Sequence, residues 1–372
     1  MNSTHHEHGF AARTQGPVRI VGTGLLGTSI GLALRELGVD VILANHSPKS
    51  LSLAVEYGAG RVAEPSDMPT LVVVCVPPDV TAEVVAEELA TFPDAIVTEV
   101  ASVKSAVLST LHAAGVDLSR YVGSHPMAGR ERGGAIMGRT DLFVGRPWVI
   151  CSDEAVGENS AVRQDALDAV EALASDLGAT PITMTTHEHD ERVALVSHLP
   201  QVMASLTAAR LVDSVDDVSL AGQGLRDTTR IAASDPALWV QILSANSAEV
   251  VKLLKKLRED LEQTIEALET ASDPESQAAI VELLARGNEG VSRIPGKHGS
   301  AARFTSITVA IDDKPGELAR LLTEIGELGI NLEDMRLEHS PGAQIGFVEL
   351  AVLPAAAEKA TTDLTERGWS IR

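Results

Sequence analysis

Three groups of residues in this chain have types and spacings suited to chemistry. Gly22, Gly24 and Gly27 form a G-x-G-x-x-G run, directly after the apolar stretch Val18–Val21 and directly before a helical pattern. A first glycine permits the tight turn, a second lets a pyrophosphate approach the backbone, and a third lets the helix pack close to the strand. The helix N-terminus then offers N–H groups and partial positive charge to phosphates. Gly22, Gly24, Leu25, Leu26 and Gly27 are therefore candidate dinucleotide contacts. A glycine turn without a ligand is the plain alternative, and the flanking strand and helix argue against it.

The second group is Ser124 and His125 in Tyr121-Val-Gly-Ser-His-Pro-Met-Ala-Gly129, together with Ser102 and Lys104 in Ala101-Ser-Val-Lys104. Ligands of open α/β sheets bind outside the carboxyl ends of the strands, where both segments fall. Proline and glycine after the histidine hold its backbone, which suits general acid–base work. Ser102 either belongs to that site or caps a helix starting near Ser105. The third group is Arg226 and Arg230, at i and i+4 in a helical pattern. They could grip a carboxylate by charge-assisted hydrogen bonds or form a solvated face. His187, His189 and Asp190 are not read as a metal site, since i and i+2 on a helix face apart. No metal is expected.

The elements around these groups alternate strand and helix. Val39–Ala44 reads as the second strand and ends at Asn45-His46-Ser47, opposite a bound adenosine ribose. An acidic residue there would reject a 2′-phosphate. Asn45 has no charge, and His46, Ser47 and Lys49 could contact such a phosphate, so the choice of NAD or NADP stays open. Leu71–Val76 reads as a buried parallel strand and Ala95–Val100 as the next. Pro147–Cys151 and Pro181–Thr185 follow, with a helix between them. After Thr186 the pattern becomes helical: one segment contains Ser197-His198-Leu199-Pro200, where proline should kink the helix or rearrange its turn. Another runs from Asp235 to about Thr270, and a third from Pro274 to about Gly287.

Gly290–Ala302 reads as a linker, and the tail reads strand-helix-strand-strand-helix-strand, a ferredoxin-like order. The expected class is α/β, with an N-terminal Rossmann-type doubly wound sheet, an all-helical middle domain and a C-terminal ferredoxin-like domain. The expected boundaries are a leader at 1–16, a dinucleotide-binding domain at 17–186, a helical substrate and dimerisation domain at 187–289, a linker at 290–302, and the tail at 303–372.

The formal net charge of −22 over 372 residues opposes binding to nucleic acid and to anionic membranes. It also means that an anionic substrate needs local arginines. No apolar run is long enough to span a bilayer, and the polar first fifteen residues have no signal-peptide core. Cys75 and Cys151 sit in apolar strand patterns and read as reduced thiols, consistent with a cytoplasmic protein.

Taken together, the glycine run, Ala101-Ser-Val-Lys104, Gly123-Ser-His-Pro-Met-Ala-Gly129, Ser197-His-Leu-Pro200 and Arg226-Asp-Thr-Thr-Arg230 resemble the prephenate dehydrogenase family, from about Val18 to Gly287. The resemblance implies oxidative decarboxylation of prephenate to 4-hydroxyphenylpyruvate with a nicotinamide cofactor, in tyrosine biosynthesis. By the same resemblance, His125 accepts a hydrogen bond from the substrate hydroxyl, and Ser102 orients His125 beside the nicotinamide. Arg230 binds the side-chain carboxylate and His198 lines the pocket, with Arg226 and Ser124 on the substrate side. Three positions depart from the family pattern: Asn45 replaces a common acidic residue, Arg130 a serine, and Arg226 a lysine.

The tail, with Asp313-Lys-Pro-Gly316 and Gly329-Ile-Asn331, resembles an ACT-type regulatory domain. That implies a tyrosine effector near Gly316 and Asn331, between paired tails, in a homodimer or a dimer of dimers. A tail that only dimerises is the simpler alternative. Competing functional readings are arogenate dehydrogenase, a more distant hydroxyacid dehydrogenase, and a sensor without catalysis.

Overall fold

The computed structural model describes residues 12–129, 133–152, 162–213, 218–294, 304–339 and 345–372. The first eleven residues, Arg130 and Arg132, residues 295–302 of the expected linker and the Pro341-Gly342 turn lie outside them. The chain divides into two compact units, 1–258 and 259–372.

The first unit opens with β1 (Val18–Val21), α1 (Leu25–Glu36), β2 (Val41–Ala44), α2 (Pro48–Glu56), β3 (Arg61–Val62), β4 (Leu71–Val74), α3 (Pro78–Thr91), β5 (Ile96–Glu99), α4 (Ser105–Ala113) and β6 (Tyr121–Pro126). Next come β7 (Pro147–Cys151), α5 (Gln164–Asp176) and β8 (Thr180–Met184), completing an eight-stranded sheet of order β3-β2-β1-β4-β5-β6-β7-β8. The order reverses between β1 and β4, which creates the crevice where dinucleotides bind in such sheets.

The run Leu71–Val74 is apolar throughout because both faces of β4 are covered. Leu71 and Val73 pack with α1 and α5, while Val72 and Val74 pack with α3 and α4. All pairings are parallel except that of β6 with β7. The connections account for this. Helix α5 carries the chain back between β7 and β8, whereas β6 and β7 are joined by a loop with a short 3₁₀ turn at Ala135–Met137. A parallel return needs a crossover, and the loop permits an antiparallel one.

The helical part of this unit has α6 (Thr186–Val193), a π-helical turn at Ala194–His198, α7 (Leu199–Asp213), α8 (Gln223–Thr229), a 3₁₀ turn at Arg230–Ala233, α9 (Pro236–Ala245) and the start of α10 (Ser247–Glu269). Thr185 and Glu188 form a capping box that starts α6. The π turn lies just before Pro200, which has no N–H and would crowd the carbonyl four residues back in a regular helix. The expected single helix from Asp235 to about Thr270 is two helices, broken at Asn246 (φ −114°, ψ 27°).

In the second unit α10 is followed by α11 (Pro274–Ser292), which runs past the expected end at Gly287. The tail then forms β9 (Thr305–Asp312), α12 (Glu317–Glu327), β10 (Asp334–His339), β11 (Ile345–Val352), α13 (Pro354–Glu366) and β12 (Ser370–Ile371). Its antiparallel sheet has the order β10-β11-β9-β12. Alternate residues Ile307, Val309, Ile311, Val348, Leu350 and Val352 face Leu321, Ile325, Ala360 and Leu364 of the two helices.

Candidate active site

The glycine run at the end of β1 is built as its spacing demands. Gly22 has φ +100°, and a Cβ there would lie 2.3 Å from the carbonyl oxygen of Cys75. A Cβ on Gly27 would lie 1.9 Å from the carbonyl oxygen of Gly22, so that position fixes how closely α1 approaches β1. Gly24 differs: a Cβ there would meet nothing within 4 Å. It is the N-cap of α1 and supplies no side-chain cap to the first-turn N–H groups. Open backbone beside uncapped donors fits a pyrophosphate, so the residues present fit a dinucleotide. Asn45 closes β2 with its amide engaged internally: Nδ2 donates to Thr23 Oγ1 at 2.5 Å, and Oδ1 accepts from Ser47 N at 3.0 Å. His46 and Lys49 beside it are exposed.

On the same sheet, β6 presents His125, which is 8% exposed. Its Nδ1 lies 2.9 Å from Nε2 of His189, and Nδ1 of His189 lies 2.8 Å from the Asp190 carboxylate. That carboxylate also accepts the backbone N–H groups of Lys104 (2.9 Å) and Ser105 (2.8 Å). Asp190, on α6, thus caps α4, where a negative charge is favoured. Burial would raise its carboxyl pKa, but hydrogen bonds from His189, Ser105 and Lys104 hold it below the ordinary value. Burial, and then the neighbouring His189, Lys104 and His198, holds His125 well below an ordinary histidine. Burial lowers His189 too, with Asp190 pulling the other way.

Beneath this row lies a buried ion pair. Lys104 Nζ contacts Glu99 Oε1 and donates to the carbonyl of Ser124 at 2.7 Å. Glu99 also accepts from Ala101 N (2.7 Å) and the Tyr121 hydroxyl (3.2 Å). Burying two charges is tolerable only with such complete hydrogen bonding. Lys104 thereby fixes the backbone immediately before His125.

His198 ends the π turn and is 1% exposed. Asn246, at the break between α9 and α10, donates from Nδ2 to the carbonyl of Asp190 (2.8 Å) and to His198 Nδ1 (3.1 Å). The carbonyl can only accept, which sets the amide orientation, so His198 Nδ1 accepts too and the ring carries its proton on Nε2. Burial lowers the His198 pKa to about 4, keeping it neutral. Trp239 of α9 stands edge-on to the ring at 6.0 Å.

Several expectations change here. Ser102 neither caps α4 nor orients His125: Asp190 takes the α4 N–H groups, and His189 meets His125 Nδ1. Ser124 is fully buried, with its hydroxyl bonded to the Glu99 carbonyl (2.9 Å) and Thr98 (3.0 Å), so it ties β5 to β6 and does not face substrate. Arg226 and Arg230 are both exposed; α8 ends at Thr229 and Arg230 opens the 3₁₀ turn. In the second unit Gly316 is the left-handed N-cap of α12 (φ +94°), and Asn331 donates to Glu333 at 2.8 Å.

The sequence presents His189 and Asp190 only with His187, as a cluster unsuited to metal, and gives no sign that they reach His125. No group of three or more potential metal ligands is found among the described residues. His187 is exposed and His189 buried, as their spacing requires. Asn246 carries a sequence signal of its own, a poor helix former inside a helical pattern.

A Rossmann-type sheet with a phosphate cradle at β1 and an enclosed histidine on β6 defines a nicotinamide-dependent oxidoreductase. Residues 30–180 match the family model described as prephenate dehydrogenase, nucleotide-binding domain, and residues 185–285 match prephenate dehydrogenase, dimerization domain. A Streptomyces niveus protein named "Probable prephenate dehydrogenase NovF" is 36% identical over 359 residues, 94% of this chain and 98% of its own. The prephenate dehydrogenase of Lactococcus lactis subsp. cremoris is 25% identical over 373 residues, 94% of this chain and 99% of its own. The crystal structure of prephenate dehydrogenase from A. aeolicus with hydroxyphenyl propionate and NAD+ superposes with a TM-score of 0.64. It is 26% identical and covers 73% of this chain and 97% of its own. The chain belongs to the prephenate dehydrogenase family.

Proposed function

We infer that this chain carries out the reaction for which its family is named, the oxidative decarboxylation of prephenate to 4-hydroxyphenylpyruvate with NAD. NAD, when bound, would supply the acceptor for the hydride of the ring carbinol carbon. Gly22, Gly24, Leu25, Leu26 and Gly27 hold its pyrophosphate, and Asn45, His46 and Ser47 line the ribose end. His125 accepts the hydrogen bond of the substrate hydroxyl and takes up its proton as the carbonyl forms. Loss of the ring carboxylate as carbon dioxide then leaves a phenolate, which takes the proton back from His125 to give the phenol, and aromatisation drives the step.

Arg230, with Arg226 on the preceding helix α8, holds the side-chain carboxylate, which a chain of net charge −22 would otherwise repel. His198, neutral, lines the pocket as a donor. Ser102, at the carboxyl end of β5, stands on the nicotinamide side. The observation that carries the reading is the enclosed His125, held by hydrogen bonds at the carboxyl edge of a Rossmann-type sheet. Steady-state assays of prephenate and arogenate, each with NAD and NADP, test it. Turnover of prephenate with NAD supports it, and no hydride transfer in any of the four combinations defeats it.

The finer organisation follows the same reading. The dinucleotide-binding domain is 17–186, the helical domain 187–289 and the regulatory tail 303–372. The tail's β-α-β-β-α-β order and its sheet order support a ferredoxin-like, ACT-type module. Tyrosine would bind there near Gly316 and Asn331, between two tails. A homodimer is supported by the family model that names a dimerization domain and by exposed apolar side chains such as Leu206, Val240 and Val251. No described helix is long and apolar enough to cross a membrane.

A further inference from the structure

The row His125–His189–Asp190 has one consistent arrangement of hydrogens. Asp190 accepts two backbone N–H groups as well as the His189 ring, so it is an ionised acceptor. His189 Nδ1 must then donate to it. A neutral His189 has a single ring proton, so its Nε2 is a lone pair facing His125 Nδ1 at 2.9 Å. His125 Nδ1 must therefore donate in turn. The remaining ring nitrogen, Nε2, is left as the lone pair, and no described residue bonds to it.

We propose that His189 and Asp190 are positioning residues: they lock His125 in the Nδ1–H tautomer, so that Nε2 is the atom that takes the substrate hydroxyl proton. The inference rests on the reading of His125 as the base. The proton moves from the hydroxyl oxygen to Nε2 as the carbonyl forms. The imidazolium so created keeps its Nδ1–H bond to His189, whose own N–H points to a carboxylate. His189 therefore does for His125 what a directly bonded carboxylate does in other catalytic histidines, which fixes the tautomer and favours the charged form. An intervening neutral ring makes the pull on the resting histidine weaker than a direct carboxylate would. That leaves His125 neutral, and ready to accept, at neutral pH.

The arrangement also ties the base to the frame. Asp190 is anchored to the start of α4 and, through its carbonyl, to Asn246. Lys104, whose N–H it binds, holds the carbonyl of Ser124. The ring is thus positioned from both sides of the site.

The test is ring ¹⁵N NMR of the full-length protein labelled in histidine, with His125 assigned through His125→Gln. In the wild type at pH 8, Nδ1 of His125 should read as protonated and Nε2 as bare. In His189→Leu, His125 should lose that preference, and kcat should fall on the order of 10²- to 10⁴-fold, while NAD affinity by calorimetry stays within about twofold. A wild-type His125 protonated on Nε2 overturns the proposal without any variant, as does a His189→Leu enzyme with unchanged kcat. If His125→Gln keeps full activity while the wild-type tautomer is as described, it is the assignment of the base that fails, and the lock stands without a catalytic use.

Discussion

Asn246 donates its amide to Nδ1 of His198 across 3.1 Å, from the point where α9 gives way to α10. The same nitrogen reaches the carbonyl of Asp190 on α6. One side chain therefore sets the tautomer of the buried His198, joins it to the residue that ends the His125 row, and sits at the interruption of a long helix. Losing the helical geometry at one residue costs little beside leaving two buried acceptors unbonded.

The histidines buried in the neutral state make stability depend on pH. His198 is held at about 4, below its ordinary 6.5, and burial is the main cause. Between those values the unfolded chain binds more protons than the folded one, so stability is full above about pH 6.5 and falls as the pH drops toward 4. His125 and His189 shift in the same direction. Melting temperature measured from pH 8 to 4.5 should decline across that window, and His198→Gln should flatten the decline.

His125 and Arg230 should separate in steady-state kinetics. Removing the base in His125→Ala should lower kcat by ~10²–10⁴-fold and leave KM for prephenate nearly unchanged. Arg230→Ala should instead raise KM by roughly 10- to 100-fold, since an ion pair made in both ground and transition states is uniform binding. A large kcat loss with unchanged KM in Arg230→Ala would remove it from the carboxylate site.

At the close of β2, the Asn45 amide is committed to Thr23 and Ser47 and carries no charge. NADP should therefore bind measurably beside NAD. Asn45→Asp should depress kcat/KM for NADP by roughly 10- to 100-fold, because a like charge beside a phosphate costs a few kcal/mol, and should leave NAD in use. Equal loss with both cofactors would show that the residue only shapes the turn.

For the tail, millimolar tyrosine should raise the melting temperature of the full chain. A ligand at a hundred times its Kd stabilises the unit that binds it by about 2.7 kcal/mol. Gly316→Val, which forces a branched side chain onto φ +94°, should abolish the shift. If tyrosine alters neither melting nor activity, the tail has no role as its sensor.

Much of this molecule is written locally. The glycines at 22 and 27 dictate the β1–α1 turn because each is limited by sterics within a few residues or against one neighbouring strand, while Gly24 leaves the backbone open. The unbroken apolar run at 71–74 announces a strand covered on both faces. The capping box at Thr185 and Glu188, and the alternation in the tail strands, are equally local. His125 was recognisable from its place at a strand end between fixed backbone neighbours.

What sequence could not supply was partnership across the chain. The resemblance assigns Ser102 to orient His125, whereas the packing of α6 brings His189, 64 residues away, onto its Nδ1. Asp190 stands in a His/Asp cluster in the sequence, and its role comes from the first turn of α4, 85 residues distant, which donates to it. Ser124 adjoins the base, but the strand's alternation turns it to the opposite face, into β5. Local stereochemistry fixes where a backbone bends and which face is apolar. The hydrogen-bond partner of a buried ring depends on which distant elements share its core, and that choice belongs to the tertiary fold.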